Sequence, residues 1–445
     1  MDALPQIGSA GEIDLGNKIH GFASELFPIC RSITGTGIRE TLARVGKRIP
    51  LKLFEVASGT AVFDWTIPKE WNIRKAFIKD PGGRQIVDLN DSTLHVLNYS
   101  TPVHRKMPLG ELRRHLFTLP DHPDWIPYRT SYYKETWGFC LPHRQFLELA
   151  EGDYEVLIDS TLEDGHLTYG ECYLPGEVED EVLISVHACH PSLANDNLSG
   201  ITVATFLAAL LQQRKLRYSY RFLFIPGTIG AITWLARNRE QAKRIRHGLV
   251  LTCIGDAGGF HYKKSRQGAA EVDRAAAHVL RHCGEASKVL DFSPYGYDER
   301  QYCSPGFNLA VGCLMRSVWG TFPEYHTSAD NLDFIKPLQL MRSLRVCADI
   351  VDVLEHNRTY VNLQPFCEPQ LGKRGLYRTT GGDGPGDEMM ARLWVLNLSD
   401  GKQSLLDIAE RSGIAFQTIR QAAEALQVGS LLEIHRETAF PENTT

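Results

Sequence analysis

SVHACHPSLANDNLSG, residues 185–200, joins a strand-like apolar run at 181–186 to an apolar helical run at 201–211. The crossing carries His187, His190 and Asp196, two imidazoles and a carboxylate within ten positions. That donor set suits a divalent metal such as zinc. Asp196 lies in an Asn-Asp-Asn turn at the start of the helix. Free N–H groups and the helix dipole there favour an ionised carboxylate. A plainer alternative is an Asn/Asp N-cap preceded by loop histidines.

Three more segments extend the pattern. GLVLTCI (248–254) is a second apolar run and leads into Gly255-Asp256. Residues 221–225 form a third, followed by Pro226-Gly227-Thr228. FPEYHTSAD (322–330) holds His326. Apolar strands alternating with amphipathic helices predict an α/β core whose mixed, mostly parallel sheet lies between helices. Ligands of such sheets gather at the carboxyl ends of the strands. His187, Asp196, Asp256 and His326 fall at those ends or just beyond. One carboxylate bridging two ions, with a histidine and an acid on each side, makes a site that activates water and polarises a carbonyl.

The rest of the chain bounds the choices. Its 445 residues suggest about three domains at roughly 150 residues each. Apolar content of 43% and charged content of 23% are those of a globular protein. A net charge of −5 offers no general attraction to nucleic acid or anionic membranes, so neither is expected as a partner. No apolar run approaches the ~18 residues that span a bilayer. MDALPQIGSAGEIDLG shows neither the basic nor the apolar region of a signal peptide. The ten cysteines are scattered, and Cys253 and Cys347 lie in apolar segments. Reduced thiols in a cytoplasm are the expectation. Cys189, between the two histidines, is a further candidate ligand, although a small buried thiol is the commoner role.

Residues 1–58 read as two helices, 14–27 and 37–48, that pack on a core resuming at 169 and ending at 366. The last core helix covers 336–357. Between 59 and 168 helical periodicity fades. Short alternating segments (61–65, 75–79, 154–159) between Pro, Gly and Asp turns predict an inserted, mainly β domain. Trp125, Tyr128, Tyr132, Tyr133 and Trp137 cluster there. They form a packed core or, if the insert covers the site, a wall of the substrate pocket. Residues 367–445 read as a linker and a winged helix: helix 405–411, a Gly413 turn, helix 416–426 and strand 431–435. The second helix, FQTIRQAAEALQ, has one arginine and one glutamate, too little basic charge for a DNA reader. A packing or dimerisation role is the expectation, the second of which would make a homo-oligomer.

Longer motifs carry a resemblance. They are FPICRSITGTGIRETL (27–42), VFDWTIPKEWNIRKAFI (62–78), YRTSYYKETWGFCLP (128–142) and ACHPSLANDNLSG (188–200). YDERQYCSPGFNLAVG (297–312), FPEYHTSADNLDFI (322–335) and EPQLGKRGLYRT (368–379) complete the set. The order His, Asp-Asn-x-Ser-Gly, strand-Asp, Tyr-His-Thr-x-x-Asp resembles the zinc aminopeptidases of the bacterial leucyl and Streptomyces type. From about residue 15 to 437 the chain more closely resembles a bacterial family of aminopeptidase-like proteins. That family is associated with polysaccharide biosynthesis and was formerly a domain of unknown function.

The resemblance implies a zinc-aminopeptidase-like core binding one or two Zn2+ ions. It implies a hydrolase or amide-transfer enzyme acting on a small amino-acyl or peptide-like substrate. His187 would be the first ligand, with His190 its competitor or supporting partner. Asp196 would bridge, Asp256 would bind the first ion and His326 the second. Tyr325 would bond a developing oxyanion, or be a packed tyrosine with a bonded hydroxyl. Asp298 and Arg300 would bind charged groups of the substrate.

One position departs from the family pattern. After the 221–225 strand the family has Pro-Glu-Thr-Ile-Gly, and this chain has Pro226-Gly227-Thr228-Ile229-Gly230. In the aminopeptidases this region supplies a general base and a ligand of the second ion, and glycine serves as neither. Loss of a general base costs about 10²–10⁴-fold in rate. The chain has then lost hydrolysis and kept binding, or works with one ion and Glu324 or Glu299 as base, or carries an engineered glycine. A glycine chosen for a tight turn fits all three.

Overall fold

All seven residues of Glu181–His187 are buried, and so are all seven of Ser219–Ile225. Strands covered on both faces read as continuous apolar runs, as strands of a parallel sheet do. These two lie side by side and parallel in an eight-stranded sheet. We number its strands β1 (Lys52–Ala57), β2 (His166–Leu174), β3 (Glu181–His187), β4 (Ser219–Ile225), β5 (Ile245–Leu251), β6 (Phe260–Lys263), β7 (Ser287–Leu290) and β8 (Val311–Met315). Their order is β1-β2-β4-β3-β5-β8-β6-β7. The central four are parallel, and antiparallel pairs flank them. The sheet is therefore mixed, with a parallel centre, as expected. This computed structural model describes residues 9–377 and 386–435.

Polar residues inside the central strands are paired. Arg221 of β4 donates from Nε and Nη2 to the Glu181 carboxylate of β3 at 2.7 and 2.8 Å, and also bonds Glu171 of β2. The Trp234 indole donates to Glu171 at 3.0 Å. The helix Gly200–Leu211 is buried on nearly all sides, so its apolar residues need no polar face. All ten cysteines are free. Among the described residues no helix is long and apolar enough to cross a membrane.

The segment between β1 and β2 builds its own four-stranded antiparallel sheet. Its order is Gln85–Asp88, Glu70–Lys79, Asp153–Glu163, Val103–Pro108. Ala76, Ile78, Val87, Met107, Val156 and Ile158 fill its core. Contacts divide the chain into two compact units, Met1–Asp273 with Glu285–Cys347, and Arg274–Gly284 with Ala348–Thr445. The insert thus falls in the same unit as the eight-stranded sheet.

The second unit has a three-stranded sheet, ordered Asp400–Ser404, Thr359–Asn362, Leu432–Ile434. Thr359–Asn362, placed at the end of the core by sequence, pairs here instead. Helices Asp387–Leu398, Leu405–Ser412 and Phe416–Val428 complete the unit. The Ser404 and Asp407 side chains form a capping box at the start of the second of these helices. Residues 378–385, part of the expected linker and of the motif at 368–379, lie outside the described residues. So do residues 1–8 and the tail from 436.

Glu181→Ala leaves the buried Arg221 guanidinium with Glu171 alone. A loss of about 3 kcal/mol is expected, seen as a lower guanidinium midpoint than wild type. An unchanged midpoint would refute it.

Candidate metal centre

β3 ends at His187, β4 runs into Gly227, and β5 is followed by Thr252–Asp256. The parallel strands therefore deliver these residues to one edge of the sheet. The Asp196 carboxylate is fully buried at the centre of that edge. His187 Nε2 lies 2.8 Å from its Oδ1, and His326 Nε2 lies 2.9 Å from its Oδ2. His190 Nδ1 is 3.4 Å from Oδ2 and 3.2 Å from the Asp196 carbonyl. The Tyr297 hydroxyl donates to Oδ1 at 2.8 Å, and its ring stacks on His187. Burial alone would push the Asp196 carboxyl up. The charges of His190 and His187 and their hydrogen bonds hold it well below the usual carboxylate range.

The donors of His187, His190 and Asp196 all lie within 4.8 Å of one another. Two imidazoles and one carboxylate that can meet a common atom fit zinc, and three protein donors leave a position open. His326 borders this group through Asp196 Oδ2. His187 is enclosed, whereas the His326 side chain is 35% exposed, so the site opens on the His326 side.

Asp256, expected as a ligand, bonds three neighbours. Its Oδ1 accepts from Gly258 N at 2.6 Å and Ser317 Oγ at 2.7 Å, and its Oδ2 accepts from Asn195 Nδ2 at 2.8 Å. The Asn195 Oδ1 in turn accepts from Gly255 N at 2.8 Å. Asp256 therefore holds the residue before Asp196. Asp330 completes the cradle. Its carboxylate oxygens accept from the backbone N–H groups of Asn195 and Asp196 at 2.5 and 2.9 Å.

Glu299, expected as a stand-in base, is fully buried against Lys263 Nζ at 2.7 Å. It neutralises that lysine and takes no part in the Asp196 cluster. Glu324 contributes its carbonyl, which accepts from Thr327 N and Oγ1. No bond among the described residues joins its carboxylate to Asp196. Tyr325 stacks on His326 at 3.9 Å, and its hydroxyl lies 3.0 Å from that of Tyr297. Burial and the Asp196 charge push both phenols above their ordinary range, so both stay protonated.

Asp298 and Arg300 meet the Gly227 turn. Asp298 Oδ1 accepts from Thr228 N at 2.6 Å, and Arg300 Nη2 donates to Thr228 Oγ1 at 3.4 Å. Cys189 is buried, and burial pushes its thiol up to about 12. Its sulfur accepts from Gly227 N. A Cβ built on Gly227 meets Cys189 Sγ and His187 Cβ, each at 3.5 Å. Those are ordinary contacts, so the backbone does not demand glycine here.

The insert reaches the site. The Tyr128 ring packs edge-on against His190 and His326, at 5.0 and 5.2 Å. Its backbone N–H donates to the His326 carbonyl at 2.8 Å, and Pro127 bridges Thr327. From the other side, the buried Arg31 guanidinium donates to the His190 carbonyl at 2.8 Å. Tyr297, Asp330, Asn195 and Arg31 were not singled out by sequence. All four lie within quoted motifs, which was the one available signal.

An α/β unit with such a centre at its strand ends belongs to the aminopeptidase class of folds. A zinc aminopeptidase from Bacillus subtilis superposes with a TM-score of 0.55 at 13% identity, covering 76% of this chain and 94% of its own. A peptidase M28 precursor from Shewanella amazonensis gives 0.53 at 13% identity, with coverages of 77% and 96%.

The chain belongs to the family described as a domain of unknown function (DUF4910), matched over residues 20–357; a winged helix-turn-helix model matches 358–434. A Clostridium acetobutylicum relative is 54% identical over 423 residues, 95% of this chain and 97% of its own. It is described as a "Putative polysaccharide biosynthesis protein with aminopeptidase-like domain". A crystal structure from the same organism, of a "putative peptidase", gives a TM-score of 0.91 at 53% identity over 95% of this chain and 97% of its own.

Asp330→Ala frees the two N–H groups that fix the Asp196 turn. Loss of such a supporting partner weakens metal binding by about 10–100-fold. Competition against a zinc-binding dye measures this, and unchanged affinity would exclude the role.

Proposed function

We propose that this chain is a single-zinc amide-bond enzyme acting on a small amino-acyl or peptide-like substrate. The observation that carries this reading is the convergence of His187, His190 and His326 on the buried Asp196. His187, His190 and Asp196 would hold the ion. Zinc, when bound, supplies a Lewis acid for a carbonyl and a more acidic water. Engagement of Asp256 by Asn195, Ser317 and Gly258, with glycine at 227, supports one ion rather than two.

The remaining residues bind and orient. Tyr325 keeps its proton and can donate to the substrate's carbonyl oxygen as negative charge develops there. Arg300 Nε is buried without a partner, which supports the expected role in holding an anionic group of the substrate. Tyr128 packs edge-on over His190 and His326, which supports a small substrate. The relative's description supports a biosynthetic setting, and the ten free thiols support a reducing compartment such as the cytoplasm. The winged helix serves packing or self-association rather than DNA reading, since its second helix offers little positive charge.

Gly227 favours a second reading, a binding protein that keeps the metal centre without hydrolysis. Metal analysis of the full chain should give one zinc, lost in His187→Ala and in Asp196→Ala. Gly227→Glu should raise amidase or aminopeptidase turnover. If Gly227→Glu binds zinc and stays inert across a broad panel of amides, the hydrolase reading fails and the binding reading stands.

A further inference from the structure

Position 227, where the resemblance implies a glutamate, carries no acid, yet a carboxyl group stands at the same turn. Asp298 is 2% exposed and bonds the Thr228 N–H, next to Gly227. Gly227 itself lies against His187, as its built Cβ shows. On the other side Tyr297, adjacent to Asp298 in sequence, donates to Asp196. Asp298 is thus tied to the metal centre through two neighbours, and it is the acid that meets the vacated turn.

We infer that Asp298 is the proton carrier of this site, replacing the acidic side chain absent at position 227. The inference rests on the amide-bond reading above. In the hydrolytic step Asp298 takes a proton from the attacking water as the water oxygen bonds the carbonyl carbon. It returns that proton to the amide nitrogen as the C–N bond breaks. The products are an acid and an amine, and Asp298 ends as the carboxylate it began as.

The surroundings suit this work. Burial pushes the Asp298 carboxyl up to about 7, opposed by the Thr228 N–H bond; the Glu299 charge adds to the rise and Arg300 opposes it. Lys263 is paired with Glu299, and the neighbouring Cys189 and Tyr302 are themselves shifted upward and stay neutral. A carboxyl that titrates near neutrality both accepts and returns a proton. A purely structural role, capping the Ile229–Arg237 helix through Thr228, needs only an acceptor oxygen, which asparagine also has.

The test uses the zinc-loaded full chain. Asp298→Asn should bind zinc and melt as wild type does, lose about 10²–10⁴-fold in kcat, and lose the rise of kcat/KM with pH through about 7. Adding Gly227→Glu to Asp298→Asn should restore at least about tenfold. An Asp298→Asn enzyme within about threefold of wild type, with the same pH profile, would overturn the inference. Carbon-13 NMR of the metal-free protein, with the signal assigned by its loss in Asp298→Asn, reads the carboxyl directly. If neither wild type nor Gly227→Glu turns over any amide, the amide-bond reading falls. The inference falls with it in that case; where turnover is seen, a carbon-titration midpoint in the ordinary carboxylate range overturns the inference while leaving the amide-bond reading standing.

Discussion

A carboxylate taken wholly out of water must be surrounded by donors, or it costs several kcal/mol. Asp196 is that carboxylate, and the architecture around it follows from meeting this demand. The end of β3 supplies His187, the loop after it His190, the 297–302 segment Tyr297, and the 322–330 loop His326. Four stretches of chain are pinned to one side chain. The same anion holds the imidazoles where a cation could share them.

Support extends one layer further out. Asp256 fixes Asn195, and Asp330 fixes the backbone of Asn195 and Asp196. A charged group used this way contributes geometry, since its hydrogen bonds are spent on neighbouring backbone and side chains. Asp256 is an acid at a strand end whose bonds run to Asn195, Gly258 and Ser317.

The parallel strands were legible because β3, β4 and β5 are apolar without alternation, and the position of His187 at a strand end follows from that. His187, His190 and Asp196 were legible as donors because they share one short segment. The hydrogen-bond partners of Asp256 were not, because position along a strand does not say which way a carboxylate turns. Tyr297 and Asp330 act on Asp196 from about 100 and 134 residues away, and no local periodicity reports such a contact. The core was read through to 366, past the Thr359–Asn362 strand, because four residues carry too little pattern to mark a new sheet.

The Tyr128 segment is a main-chain splint. It is joined to the His326 loop by backbone bonds that do not depend on side-chain identity. The insert therefore sets the height of His326 over Asp196, although it lends no donor to the centre. Sequence drift in that domain can retune the reach of the site while the donor residues remain unchanged. The setting of the His326 loop and the donor set around Asp196 are thereby carried by separate parts of one chain, free to change at different rates.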